Sequence, residues 1–357
     1  MNEVWVSAVS GGDNRVHTSE RTSGATQPAR TRVDVCVCTF RRPYLAETLK
    51  SIAANAGPRV DLRVIVADND TVPSARQLTE AFADESGIPV RYVHAPATNI
   101  SLARNACLDA ASADFVAFVD DDEHVSAHWL DALLRTAKVT GADVVLGPVA
   151  AVYGVDAPKW MREGDFHSTS PAYVNGVIQT GYTCNVLMRR REPFSTLRFD
   201  LSLGRSGGED TEYFYRLHDL GGRIAFAPDA TVYEPVPAER ARLEWLMRRR
   251  LRSGQTYGMW LVRSSRSGWG ALALAGAKSG YCLAMAALNI LSPVRSRRYL
   301  LRGTLHIGVV GGLLRARQAS LYGGVGNQLL NGERTGSGSE AAAGREPAEA
   351  ARGNART

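Results

Sequence analysis

No CxxC pair occurs in this chain. Its five cysteines are odd in number and fit neither a disulfide framework nor a zinc site. Cys36 and Cys38 share one face of an expected strand and read as core residues. A reducing cytoplasm is the simplest compartment. No GxGxxG follows the first apolar strand and no GxxxxGK[ST] is present, so neither a dinucleotide fingerprint nor a P-loop is available. The N-terminus lacks a basic stretch followed by an apolar one, so no signal peptide is visible. No internal repeat is found.

What remains is an ordinary globular composition: 357 residues, 45% hydrophobic, with a formal charge of +6 and a pI near 9.2. The basic excess is local. Arg240, Arg242, Arg248, Arg249, Arg250 and Arg252 crowd one segment, and Arg295, Arg297, Arg298 and Arg302 another. Such clusters attract phosphate, from nucleic acid or from lipid headgroups. Residues 1–31 are rich in Ser, Thr, Gly and Arg without apolar periodicity, which predicts disorder. Residues 326–357, turning to Gly, Ser, Ala, Glu and Arg from Asn331 onward, read as a flexible low-complexity tail. A folded unit over 32–237 and a helical region over 238–325 lie between.

Within that unit, apolar strands are expected at Val33–Cys38, Leu62–Ala67, Val90–Val93, Phe115–Val119 and Val144–Leu146. Helical spacing intervenes: Leu45, Leu49 and Ile52; Thr79–Ala83; Ile100–Ala111, with Leu102, Ala106 and Ala110 on one face; and His128–Val139. Strands alternating with helices imply right-handed βαβ units and a mostly parallel sheet. Residues 150–180 read as loop. Tyr182–Met188 is a strand, and Glu209–Leu220 a helix with Phe214, Leu217 and Leu220 toward a core. Ile224–Ala227 and Thr231–Tyr233 are short strands, and Arg240–Gly254 is a basic helix with an apolar stripe.

The acids Asp120, Asp121, Asp122 and Glu123 follow the fourth strand at once. Four acids in a row repel one another, so a strand end carrying them needs a reason. A divalent cation with an anionic ligand is one, and hard oxygens suit Mg²⁺ or Mn²⁺. The bland alternative is a solvated turn with an Asp as N-cap. In a parallel sheet the strand ends line one edge, so Thr39 with Arg41, Asp68–Asp70, and Asp120–Glu123 can converge on a nucleotide diphosphate. Asp68 can accept a hydrogen bond from a base, Arg41 and Arg104 can meet phosphate or base, and Asp122 can hold a metal bridging two phosphates. Further on, Gly207-Gly208-Glu209-Asp210 is either an ordinary helix start or the source of a general base for an acceptor hydroxyl.

The ordered set VCVCTFRR, VIVADND, ISLARNACLDAASADFVAFVDDDE, TGYTCNVLMRR and GGEDTEYFYRL resembles family 2 glycosyltransferases of GT-A fold, including bacterial enzymes that build exopolysaccharides of the succinoglycan type. The resemblance covers about Val33 to Pro235. It implies a Rossmann-like, mostly parallel central sheet flanked by helices, and inverting transfer of a sugar from a nucleotide-diphospho-sugar to a glycan or polyprenyl-linked acceptor. Thr39, Arg41 and Asp68 match nucleotide-binding positions. Asp120 and Asp122 match the outer acids of the DxD motif, with Asp122 the direct metal ligand and Asp121 between them. Asp210 matches the base of the family's ED pair, with Glu209 as helper. The chain departs from the pattern at Ala67, where many members carry a first Asp, and at Asn69-Asp70, where Gly-Ser is frequent.

Rival readings are a nucleotide-sugar binding module without turnover, which donor hydrolysis would separate, and a metal nuclease using Asp68, Asp122 and Glu209, which salt-sensitive DNA binding would favour. A haloacid-dehalogenase-like phosphatase also pairs Asp residues, but after its first strand. Ala271–Leu291 is apolar and about long enough to cross a bilayer; Lys278 interrupts it, so a buried helix, an in-plane helix and a span all satisfy it. With flanking arginines and with Trp245 and Trp260, it predicts a C-terminal helical extension held to the inner face of the cell membrane rather than to nucleic acid.

Overall fold

The computed structural model describes residues 30–266 and 268–315. The tail 326–357 and all but the end of segment 1–31, both expected to be disordered, lie outside the described residues. The first half alternates as its periodicity dictates: β1 (Thr31–Thr39), α1 (Leu45–Ala53), β2 (Val60–Asp68), α2 (Arg76–Ser86), β3 (Val90–His94), α3 (Ile100–Ala110), β4 (Phe115–Asp120), β5 (His124–Val125) and α4 (Trp129–Thr140). The second half holds β6 (Val144–Leu146), β7 (Val149–Tyr153), α5 (Lys159–Gly164), β8 (Tyr173–Val174), β9 (Val177–Ile178), β10 (Asn185–Arg189), α6 (Glu209–Asp219), β11 (Ile224–Phe226) and β12 (Val232–Val236). Three long helices close the described chain: α7 (Leu243–Arg263), α8 (Trp269–Leu288) and α9 (Pro293–Leu313).

The central sheet has seven strands in the order β11-β6-β10-β4-β1-β2-β3. Strands β4, β1, β2 and β3 run parallel, and β10 enters antiparallel between β4 and β6. Successive side chains of a strand point to opposite faces, so β1 feeds two cores. Val33, Val35 and Val37 meet α1 and α4 through Leu45, Leu49, Trp129 and Leu133. Cys36 lies in a second core with Cys107 of α3, Phe118 of β4 and Phe214 of α6, as expected, whereas Cys38 is half-buried and packs against that core. Removing a side chain such as Leu49 from this interior would cost about 2–5 kcal/mol.

Four expectations need correction. The buried face of α3 is Ser101, Ala103, Arg104, Cys107 and Ala110; of the expected Leu102, Ala106 and Ala110 only Ala110 lies on it. Polar side chains with partners in the interior hold that face, and apolar periodicity does not register them. Residues 150–180 are not all loop: β7 joins β12 and β5 in a separate three-stranded sheet, and α5 follows. Leu220 is exposed just past the end of α6. The basic helix α7 is longer than expected, ending at Arg263.

Asn185 ties the two sheets together. Its amide donates to the Pro148 and Ala230 carbonyls at 2.9 and 2.7 Å and accepts from the buried Trp129 indole at 2.8 Å. The helices α7 and α9 cross on glycine. A Cβ at Gly254 would overlap the Leu305 carbonyl oxygen, one at Gly308 the Leu251 carbonyl oxygen, and one at Gly312 the Gln255 carbonyl oxygen. Backbones approach this closely only where small residues face each other. α7 in turn packs on α6, with Trp260 stacked on Tyr215 at 4.0 Å between ring centroids. α8 is the one described helix long and apolar enough to cross a membrane, and only 22% of that stretch is buried. Trp269, Leu274, Tyr281 and Leu288 on it are exposed, as is Lys278.

Candidate active site

Strand register builds the site. Thr39 pairs with Asp68 and Cys38 with Asp120, so the carboxyl ends of β1, β2 and β4 fall at one edge. This is the edge the alternating sequence predicts.

At the end of β1, the Thr39 hydroxyl donates to Asp121 Oδ2 at 2.8 Å. Arg41 takes a left-handed backbone, φ 52°, and its guanidinium donates to both oxygens of Asp70 at 2.7 and 2.9 Å. That pair holds the Asp70 carboxyl down at about 2. The Arg41 side chain stays largely exposed.

Asp68 does not reach the open cleft. It is 0% exposed. Its Oδ1 accepts from the Asp70 N–H at 3.1 Å, and its Oδ2 from the Ala75 N–H and the Tyr92 hydroxyl at 2.8 Å each. The carboxylate therefore shapes the loop after β2 from within.

The acidic run divides by direction. Asp120 faces α3 and β10, with Arg104 Nη2 4.0 Å away. Its side chain keeps 48% of its surface open to the cleft, yet burial within the crevice, with Asp122 and Asp121 adding and Arg104 opposing, pushes its carboxyl up to about 7. Burial, with Asp122 adding, pushes Asp121 up to about 6 against the Thr39 hydrogen bond. Glu123 is wholly buried and held far above the usual carboxylate range by burial and by Asp120. Its Oε2 accepts the Asp120 N–H at 2.8 Å. Asp122 turns the other way, toward Arg42 at 3.5 Å and Arg240 at 4.0 Å. The metal-capable cluster among the described residues is Asp120, Glu123 and Cys184, one ligand atom each within 4.8 Å of one another. The expected direct ligand Asp122 is not in it.

The first turn of α6 meets α3 through the pair of Glu209 with Arg104. Gly207 and Gly208 have φ 83° and 90°, a region where side chains are strained. A Cβ at Gly208 would also press on the Thr256 hydroxyl of α7 at 2.5 Å, so α7 buttresses this turn. Glu209 is buried and ion-paired with Arg104, while its Oε2 has no hydrogen-bond partner. Asp210 is less buried than Glu209, and its Oδ1 accepts from the Thr211 N–H at 2.6 Å. The structure thus brings together Arg104, Asp120, Glu209 and Asp210, sets Thr39 and Asp121 beside them, leaves Arg41 at the rim and turns Asp68 inward. Sequence reasoning missed Arg42 and Cys184. The pairing of β10 with β4 is the signal for Cys184, since Asn185 lies opposite Val119.

Known proteins resemble this chain in sequence and in fold. Residues 34–194 match the family described as Glycosyl transferase family 2. The mannosyltransferase PcManGT from Pyrobaculum calidifontis, solved in complex with GDP-Man and Mn²⁺, superposes with a TM-score of 0.55 over 81% of this chain and 89% of that one, at 19% identity, a likeness of fold. A glucosyl-dolichyl phosphate glucuronosyltransferase of Haloferax volcanii is 23% identical over 237 residues, 60% of this chain and 73% of that protein. The succinoglycan biosynthesis protein ExoM of Rhizobium meliloti (strain 1021) is 56% identical over 297 residues, 82% of this chain and 96% of its own length. Identity of that order across nearly a whole relative, on a sheet whose strand ends carry these acids, shows that the chain belongs to glycosyl transferase family 2.

Proposed function

We propose that this glycosyltransferase moves a sugar, with inversion, from a nucleotide-diphospho-sugar to a glycan or polyprenyl-linked glycan in exopolysaccharide or cell-surface glycan synthesis. The observation that carries the chemistry is the division of labour in the first turn of α6: Glu209 is committed to Arg104, and Asp210 is the carboxylate left to meet an acceptor. Inversion is a single displacement. The acceptor oxygen bonds to the anomeric carbon, the bond from that carbon to the diphosphate oxygen breaks, and the nucleoside diphosphate leaves. Asp210 takes the acceptor's hydroxyl proton. Arg41 and Arg42, at the rim beside the acidic run, meet the diphosphate. Asp68 acts through the loop it holds in shape. Thr39 fixes Asp121 at the floor.

The donor set fits a divalent cation, because a fully buried oxygen of Glu123 lacks a partner beside Asp120. Asp120, with Glu123 beside it, would hold Mg²⁺ or Mn²⁺, which would supply Lewis-acid stabilisation to a departing diphosphate; Asp122, expected to be the direct ligand, is turned toward Arg42 and Arg240 instead. The 56% identical relative named for succinoglycan biosynthesis supports the exopolysaccharide assignment. Residues 32–237 form the catalytic unit, and the helices α7 to α9 place it on the cytoplasmic face of the membrane; residues 316–325 of the expected 238–325 region lie outside the described residues. The exposed apolar side chains of α8 support that placement.

The test is a panel of nucleotide-diphospho-sugars assayed for hydrolysis and transfer with and without chelator. Turnover of one donor, lost in chelator, is expected. No turnover of any donor, together with metal-dependent cleavage of DNA, would overturn the reading in favour of a nuclease.

A further inference from the structure

The geometry points to a mixed carboxylate–thiol cation site in the cleft, in which Asp120, Glu123 and Cys184 take a borderline divalent cation of the Mn²⁺, Co²⁺ or Zn²⁺ kind in preference to Mg²⁺. The inference rests on the proposed cation dependence and names its ligands and its selectivity.

Three observations support it independently. The first is register. β10 runs antiparallel to β4 with Asn185 opposite Val119, so the next position, Cys184, falls opposite Asp120. Cross-strand neighbours share a face of the sheet, and the thiol and the carboxylate point the same way. The second is an orphaned oxygen. Glu123 folds back through the turn after β4 so that Oε2 accepts the Asp120 N–H at 2.8 Å. Its Oε1 is left buried with no partner, in a side chain with no exposed surface. A buried carboxylate oxygen without a hydrogen bond is costly, and a cation supplies the missing partner. The third is spacing. One donor atom from each of the three residues lies within 4.8 Å of the others. Donors bonded to one ion at about 2.0–2.3 Å stand about 3–4 Å apart, within reach of side-chain shifts of about 1 Å.

The donor set decides the ion. Mg²⁺ demands oxygen ligands in near-ideal octahedra and sheds water reluctantly. A thiol favours softer or borderline ions. Binding exchanges the Cys184 S–H bond for a metal–sulfur bond and releases the proton to solvent. Three protein donors leave positions open, and the exposed side of Asp120 directs them into the cleft.

The full chain, stripped with chelator, is titrated with Co²⁺ and Cd²⁺ while absorbance is followed. A sulfur-to-metal charge-transfer band is expected at one equivalent, and a large excess of Mg²⁺ should not displace either ion. Cys184→Ser should remove the band and weaken binding by roughly 10-fold or more. Glu123→Gln should keep the band and weaken binding to a similar extent. Circular dichroism verifies that each variant is folded, and the wild-type band needs no variant at all. Cation binding without a sulfur band, or Cys184→Ser binding Co²⁺ as tightly as the parent, overturns the ligand assignment and leaves the cation dependence standing. A wild-type chain that binds no divalent cation overturns both.

Discussion

Arg104 and Glu209 form a buried ion pair that joins α3 to the first turn of α6. The same guanidinium stands 4.0 Å from Asp120. One side chain thus spaces the strand-end acids from the helix that carries the proposed base. Removing one member of a buried pair leaves an uncompensated charge and costs about 3–5 kcal/mol. Arg104→Met should therefore lower the urea midpoint sharply. Arg104→Met combined with Glu209→Met should recover most of that stability but not the transfer rate. A double variant no more stable than Arg104→Met would show that the pair does not act as a unit.

Asp210→Asn keeps size and hydrogen bonding but removes basicity. Donor binding by calorimetry should persist, and transfer should fall by roughly 10²-fold or more. If the variant turns over like the parent, Glu209 becomes the base to test.

The α7–α9 crossing can be probed with a single methyl. Gly308→Ala drives a Cβ into the Leu251 carbonyl and should cost about 1–3 kcal/mol. Gly276→Ala on α8 meets nothing within 4 Å, so helix propensity should make it neutral or stabilising by up to about 1 kcal/mol. Equal melting temperatures for the two variants would contradict the crossing.

His167 should make the protein acid-sensitive. Its Nε2 lies 3.0 Å from the Arg240 carbonyl, its ring stacks on Trp245, and burial pushes its pKa down to about 4. The unfolded chain takes up this proton near 6.5, the folded one only near 4. Between those values the unfolded state binds more protons, so stability falls as pH drops through the window. In His167→Phe the decline of melting temperature from pH 6.5 to pH 4 should be shallower than in the parent.

Membrane attachment should depend on α8 more than on the arginines, several of which the fold already engages. Arg252 donates to the Ser206 carbonyl, Arg298 to the Gly164 carbonyl, and Arg248 pairs with Glu244. The full chain should pellet with membranes at high salt. Trp269→Ser with Leu274→Ser and Leu288→Ser should shift it to the soluble fraction. Truncation near Pro237 is a poorer test, because it strips Trp260 from Tyr215. A soluble parent would rule out attachment through this helix.

How much of this was legible in the sequence varies with the kind of signal. β1, β2 and β4 are dense in Val, Ile and Phe, and their ends announce themselves with Thr39, Asp68 and Asp120. The face of α3 misleads because its interior positions are Ser101 and Arg104, whose partners come from distant elements. Gly254 and Gly308 look like weak helix formers until the two helices are seen to touch. Cys184 sits far from the acidic run in the chain, and only the antiparallel insertion of β10 brings them together. The short β7 and α5 offer too few residues for a period to show.

The inward carboxylate of Asp68 bears on any attempt to retarget the enzyme to another nucleotide. Replacing that side chain would not swap one base contact for another. It would untie the Ala75 amide and the Tyr92 hydroxyl and let the loop after β2 drift. Any exchange of the stretch from Asn69 to Ser74 has to leave Asp68 in place as the peg on which its main-chain path hangs.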